Sequence, residues 1–262
     1  MAVIVITGST RGIGLGLARA FVERGHNVVI ASRSATAVEQ TVAELASAGL
    51  GRVAGFACDV ADSTQVEQLW DRAKTAFGSV DIWINNAGTS GPRRNVVDIG
   101  DADVAAVVAT NLVGTINGMR AALRGMIAQG HGKIFNFEGF GSDGMSAPGL
   151  SVYGATKRAI TYLTKSTNKE IKGSPVLLGT ISPGIVVTDL LDDARDADPA
   201  QWARTKRFYN ILGDRVETVA PFIADRVLAA SAPGTAIRWL TRRRAIGRFL
   251  TARATGRKVM PD

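Results

Sequence analysis

Val3-Ile4-Val5-Ile6-Thr7-Gly8-Ser9-Thr10-Arg11-Gly12-Ile13-Gly14 is the stretch on which the fold turns. Val3 to Thr7 are all β-branched and show no polar alternation, the pattern of a strand buried on both faces. Gly8, Gly12 and Gly14 then let the backbone turn sharply, and Ile13–Arg24 carries apolar residues at helical spacing. Working outward, the same alternation repeats. Short apolar runs predict strands at Val28–Ala31, Val53–Ala57, Val80–Asn85, Lys133–Phe137, Val176–Ile181 and Thr235–Leu240. Helices are predicted at Ala35–Ala48, Ser63–Phe77, Asp101–Asn111, Leu112–Gln129 and Val152–Lys172. This rhythm implies βαβ units. The fold class is therefore α/β, a doubly wound parallel sheet with helices on both faces, forming a single domain over 1–262.

Composition fits that reading. Of 262 residues, 46% are hydrophobic and 21% charged, which suits a globular chain and excludes a disordered one. One cysteine, Cys58, excludes an internal disulfide, and with only His26 and His131 beside it no metal site is expected. There is no apolar run of about 18 residues to span a membrane. The N-terminus enters the first motif without a basic leader, so a cytoplasmic protein is expected. The net charge of +8 is matched by Arg238, Arg242, Arg243, Arg244, Arg248, Arg253, Arg257 and Lys258, a stretch without an acid. The rest of the chain is balanced. A basic tail on a neutral body argues for a local role, and no nucleic-acid partner is expected.

Five places carry chemistry. A glycine loop between a strand and a helix lets backbone N–H groups and the helix N-terminus meet a pyrophosphate. This makes Gly8, Ser9, Thr10, Arg11, Gly12, Ile13 and Gly14 candidates for a dinucleotide cofactor. Strand two ends in Ser32-Arg33-Ser34, with no acid to accept from a ribose 2′-hydroxyl; a cation between two hydroxyls suits a 2′-phosphate, hence NADP(H) rather than NAD. Asp59 and Val60 after strand three, and Asn86, Ala87 and Gly88 after strand four, are polar or small residues at strand ends that can border the same ligand. In Tyr153-Gly154-Ala155-Thr156-Lys157, positions i and i+4 put a phenol and an ammonium on one helix face. A neighbouring cation lowers a phenol's pKa and fits it for proton transfer.

In this order, these motifs resemble the short-chain dehydrogenase/reductases over about residues 2–235. Gly8, Gly12 and Gly14, the segment Asn85-Asn86-Ala87-Gly88, and the Tyr153/Lys157 pair all match that family's pattern. The resemblance implies a Rossmann-type fold and hydride transfer between a nicotinamide and a carbonyl or alcohol. It also implies roles for Asn111, which would hold a proton-relay water, and for Pro183, Gly184 and Thr188 near the nicotinamide. One departure stands out. The family has Asn-x-Ser-Ser after strand five, where this chain has Asn136-Phe137-Glu138-Gly139, so Gly139 takes the place of a carbonyl-binding serine. Ser142 is the nearest hydroxyl and is expected to replace it; Glu138 is either a pocket group or a buried structural acid.

Phe135–Gly144, Asp81–Gly88, Ser182–Leu191, Phe208–Leu212 and Ile237–Thr241 resemble the chlorophyll b reductases within the family. That implies reduction of the 7-formyl group of chlorophyll(ide) b, or of a similar bulky hydrophobic aldehyde. Another ketone or alcohol, steroid-like or acyl-carrier-linked, is the alternative substrate; a non-catalytic NADP-binding sensor or scaffold is the second alternative. The resemblance also implies a homotetramer or homodimer. The basic segment after Arg238, if helical, puts Trp239, Ile246 and Leu250 near one stripe with Phe249 at its edge. Arg244 and Arg248 then face away, with Arg242, Arg243 and Arg253 flanking. Such a helix either touches an anionic membrane peripherally or packs on its own body or a partner subunit.

Overall fold

The computed structural model describes residues 1–48, 50–188 and 199–260, excluding the side chains of 199–204 and 253–255. The first strand, β1 (Val3–Thr7), has every residue buried and leads through the glycine loop into α1 (Gly12–Glu23). Then follow β2 (Asn27–Ser32), α2 (Ala35–Ala48), β3 (Val53–Ala57), α3 (Ser63–Phe77) and β4 (Ile82–Asn85). Asp62 caps α3, its carboxylate accepting the N–H groups of Thr64 and Gln65, an arrangement that contributes about 1 kcal/mol. The second half contains α4 (Asp101–Val108), α5 (Gly114–Gln129), β5 (Gly132–Phe137), α6 (Ser151–Glu170) and β6 (Val176–Ser182). It continues through β7 (Val186–Val187), α7 (Pro199–Leu212), β8 (Asp214–Arg215), α8 (Val216–Ala229), β9 (Ala236–Arg238) and α9 (Arg242–Thr255).

Seven parallel strands lie in the order β3-β2-β1-β4-β5-β6-β9. Two apolar cores cover the faces. One gathers α1 and α8 on the sheet through Leu17, Phe21, Val219 and Ile223. The other gathers α3 and α5 through Leu69, Trp70, Met119 and Met126. Each such fully buried side chain contributes roughly 1.5–3 kcal/mol of apolar transfer. The strand order reverses at β1, which pairs with β2 on one side and β4 on the other. The connections leave in opposite directions there, and a crevice opens at the carboxyl ends of the strands.

The expected strands and helices are present with shifted ends, and two differences carry meaning. The two helices expected over 101–129 are one rod, because α4 runs into α5 through a π turn at Ala109–Val113 that contains Asn111. Elements α7, β7, β8 and α8 were not expected: Pro221 inside α8 weakens its helical signal, and two-residue strands have almost none. Residues 189–198 lie outside the described residues, among them Asp189, Leu190 and Leu191 of the segment Ser182–Leu191.

Candidate active site

At the strand-order reversal lies a cleft of about 590 Å³, lined by Gly8, Thr10, Arg11, Gly12, Ile13 and Gly14 on the β1 side. Ser32, Arg33 and Ser34 line it at the end of β2, Asp59 and Val60 after β3, Asn86, Ala87 and Gly88 after β4, and Thr188 after β7. The glycines are required by close approach. A β-carbon at Gly14 would lie 2.3 Å from the Gly8 carbonyl oxygen and 2.5 Å from Asn86 Nδ2. Gly8 itself has φ +65°, a left-handed conformation that disfavours other residues. Asn86 holds the loop from below, its Nδ2 donating to the carbonyls of Thr7 and Gly8, 2.9 Å each. The first turn of α1 contains no acid, so its N–H groups and positive end face the cleft without a competing carboxylate. Ser34 Oγ accepts the Ala37 N–H at 3.2 Å at the start of α2, which puts Arg33 on the rim beside a second helix N-terminus.

Ser9 departs from expectation: its side chain is buried outside the cleft, the hydroxyl donating to the Ile6 carbonyl at 2.7 Å and accepting the Ala31 N–H at 3.0 Å. It ties β1 to β2, so its role is in the framework. Pro183 and Gly184 also lie outside the cleft wall. They form the turn from β6 to β7, where a β-carbon at Gly184 would lie 2.6 Å from Leu240 Cβ. Thr89, Thr110, Ala37 and Cys58 line the cleft and were not anticipated. Thr89, Thr110 and Cys58 adjoin expected site residues in sequence, the signal that could have found them; Ala37, three residues past Ser34, carries none.

Gly88 joins this cleft to the Tyr153/Lys157 pair. A β-carbon on Gly88 would lie 3.3 Å from Asn111 Oδ1 and 3.6 Å from Lys157 Nζ. Asn111 is fully buried; its amide bridges the Thr89 backbone on both sides and donates to Thr156 Oγ1 at 3.1 Å. The π turn rotates it into this position, and its carbonyl accepts from Thr115 Oγ1 at 2.6 Å. Lys157 Nζ donates to the Phe137 carbonyl at 3.2 Å and stands 5.8 Å from the centre of the Tyr153 ring. Burial pushes Lys157 down to about 8, partly opposed by the Glu138 carboxylate. Burial also pushes the Tyr153 phenol up, to about 12. Desolvation of the phenol outweighs the lowering expected from the cation, whose ammonium is directed at a backbone carbonyl. A phenol in that state holds its proton, as a donor to a developing alkoxide must.

The segment after β5 explains the missing serine. Gly139 sits directly against the phenol, and a β-carbon there would lie 2.5 Å from Tyr153 Oη. The Ser142 hydroxyl points into its own turn, accepting the Gly139 N–H at 3.0 Å and donating to the Lys157 carbonyl at 3.3 Å. These contacts make Ser142 a support of the 139–142 turn, where a carbonyl-binding group was expected. Glu138 is buried, its Oε1 accepting from Thr161 Oγ1 at 3.3 Å, which favours the structural acid of the two readings. Behind the site, Trp83 Nε1, Asn85, Asn136 and Thr164 form a buried hydrogen-bond chain from β4 through β5 to α6, locking the helix that carries Tyr153.

A glycine cradle at a helix N-terminus, beside a half-buried tyrosine and a buried lysine one helical turn apart, fits a nicotinamide dinucleotide. The profile of the short chain dehydrogenase family matches residues 2–199. The chain belongs to the short-chain dehydrogenase family. It is an oxidoreductase of that family. It is 40% identical over 266 residues to the rice (Oryza sativa subsp. japonica) protein "Probable chlorophyll(ide) b reductase NYC1, chloroplastic", covering 95% of this chain and 52% of that protein. This chain therefore spans about half the length of that relative. It is 38% identical over 262 residues to the Arabidopsis thaliana "Chlorophyll(ide) b reductase NOL, chloroplastic", covering 97% of this chain and 74% of that protein. Among solved structures, a gluconate 5-dehydrogenase from Burkholderia cenocepacia, in complex with NADP and tartrate, superposes with TM-score 0.77 at 29% identity, covering 91% of this chain and 93% of that one.

Proposed function

We propose that this oxidoreductase is an NADPH-dependent carbonyl reductase acting on a bulky hydrophobic aldehyde, with the 7-formyl group of chlorophyll(ide) b as the leading substrate. The observation that carries the substrate is the extent of likeness to chlorophyll(ide) b reductases: 97% of the chain at 38% identity, which necessarily reaches past Arg238 into the C-terminal extension. The observation favouring NADPH is Arg33 on the cleft rim, with no acid at the end of β2. A guanidinium forms charge-assisted, bidentate hydrogen bonds to a phosphate.

A bound reduced nicotinamide supplies the hydride. Tyr153 Oη delivers a proton to the oxygen that becomes the alcohol, and burial keeps that proton in place until it is needed. Lys157, buried beside it, contributes a positive charge that favours the phenolate left behind. Asn111 fixes the loop at Thr89 and, through Thr156, the helix turn carrying Tyr153. With Gly139 against the phenol and Ser142 turned inward, the aldehyde oxygen is met by Tyr153 without a serine beside it.

The test is nicotinamide oxidation with chlorophyllide b, run with NADPH and NADH in parallel. Formation of the 7-hydroxymethyl product with NADPH favoured supports the reading. Turnover of simple aldehydes with none of chlorophyllide b moves the protein to another carbonyl substrate. Cofactor binding without turnover of any carbonyl favours a sensor.

A further inference from the structure

The C-terminal helix α9 is arranged inside out. Two of its arginines pack on the protein: Arg244 donates from Nη1 to the Trp239 carbonyl at 2.9 Å and lies 3.9 Å from the centre of the Trp239 ring. Arg248 pairs with Asp214 at 2.7 Å and donates to the Leu212 carbonyl at 2.8 Å. Beyond the helix, Arg257 pairs with the same carboxylate and donates to the Gly213 carbonyl at 2.9 Å. Trp239, expected on the outer stripe, is buried instead, its indole N–H on Asp214 at 2.6 Å. The helix is thereby fixed in rotation, and its remaining large apolar residues face outward. Ile246 is 61% exposed, Phe249 50% and Leu250 80%, and the stripe continues onto α7 at Phe208, 44% exposed, whose ring lies 6.2 Å from that of Phe249. On the helical wheel Arg242 and Arg243 flank Ile246 and Leu250, and both are exposed, as is Arg238 on β9.

We propose that this face is a docking surface for an anionic lipid bilayer. An apolar stripe held outward and bordered by cations is the form of an interfacial helix, with the side chains entering the acyl boundary and the arginines at headgroup level. Between Arg238 and Lys258 there is no acid. A second copy of the chain meeting this face across a two-fold axis would therefore set like charges against each other. An anionic surface neutralises them, and no rearrangement is needed because the inner arginines already set the helix's rotation. The proposal goes beyond the carbonyl-reductase reading and does not depend on it.

The test is co-sedimentation of the intact protein with vesicles of phosphatidylcholine alone or mixed with phosphatidylglycerol. No substrate is present, so its failure is distinct from failure of the proposed activity. We expect binding to the anionic vesicles at low salt and its loss near 1 M, where the screening length falls to about 3 Å. R242Q/R243Q should weaken binding about thirtyfold. I246D/L250D should abolish it, while cofactor affinity stays unchanged, showing that the variant is folded. Absence of binding to anionic vesicles at low salt overturns the proposal. So does binding that survives in I246D/L250D. A self-association that those two substitutions disrupt, with no vesicle binding in the parent, assigns the face to a second copy and also overturns it.

Discussion

Around Tyr153 the balance between burial and charge decides the chemistry. Replacing Tyr153 with Phe removes the proton donor and little else. Turnover should fall by about 10²–10⁴ while cofactor affinity stays within about twofold, read from steady-state kinetics and a binding titration. Lys157 titrates near pH 8, below its ordinary value, so it is charged at neutral pH and loses its charge as pH rises. Carbonyl reduction should accordingly decline above about pH 8, and K157M should remove that limb of the pH–rate profile. Gly139 offers a sharper test. Restoring the family's serine there places a β-carbon 2.5 Å from Tyr153 Oη, and the phenol must move. G139S should lower turnover on the order of 10–100-fold, because small misplacements of a reacting group are costly. A rise in turnover would show that the site has room and lacks a donor. S142A should cost less than Tyr153→Phe, through loosening of the 139–142 turn. The sequence marks Tyr153, Lys157 and Gly139 as unusual; it does not reveal that Ser142 is turned inward, because a hydroxyl's direction is set by the loop around it.

Among the elements, the C-terminal extension shows how a charged segment is folded into a body. The carbonyls of Leu212 and Gly213, just at and beyond the end of α7, accept from Arg248 and Arg257, an end capped by guanidinium groups from elsewhere in the chain. Asn210 Oδ1 accepts the N–H groups of Val259 and Met260, 2.8 Å each, closing the same corner. Asp214 is the shared anchor. Burial alone would raise its carboxyl; hydrogen bonds from Arg248, Trp239 and Arg257 outweigh that and hold it below the usual range. D214N should leave two guanidiniums without their counter-charge and destabilise the protein by about 2–3 kcal/mol, a lower melting temperature by roughly 4–12 °C in thermal unfolding. The strand β8 that carries Asp214 pairs with β7, which leads directly to Thr188 on the cleft wall. The extension thus braces the segment that brings Thr188 to the cleft beside Gly12, where a β-carbon on Gly12 would lie 3.4 Å from Thr188 Cγ2. A helix over this segment is legible from its spacing; which face turns inward is not, because periodicity cannot tell a buried arginine face from a solvated one.

For the whole molecule, the cofactor and the assembly are the properties to measure. R33A should weaken NADPH binding by about 10–100-fold and NADH by less than about twofold, since a charge-assisted contact of about 1.5–3 kcal/mol is lost for only one of them. Equal loss for both would remove the case for a 2′-phosphate site. Apolar side chains stand exposed along the outer helices, among them Val113, Ile127 on α5 and Tyr162 on α6. We expect a two-fold-related assembly through these helices, a dimer or, in preference, a tetramer, and light scattering at micromolar concentration should find no monomer.

By itself the sequence determined the parallel α/β sheet, the cleft at its strand ends and the tyrosine–lysine pair. These follow from local signals: β-branched runs that can only be buried strands, glycines that only a tight turn tolerates, and a four-residue spacing that fixes one helix face. The tertiary structure alone decided four things. The phenol's pKa rises where a neighbouring cation suggested a fall, because burial depends on everything packed around the ring. Gly139 turns out to lie against Tyr153, where a side chain would displace the phenol, since the contact joins a loop after β5 to a turn of α6. Ser9 and Ser142 serve the framework, because their partners are backbone groups of other segments or turns. And the C-terminal segment turns Arg248 of α9 and Arg257 beyond it inward, because a single buried carboxylate, Asp214, contributed by a strand far away in the chain, outcompetes water for both.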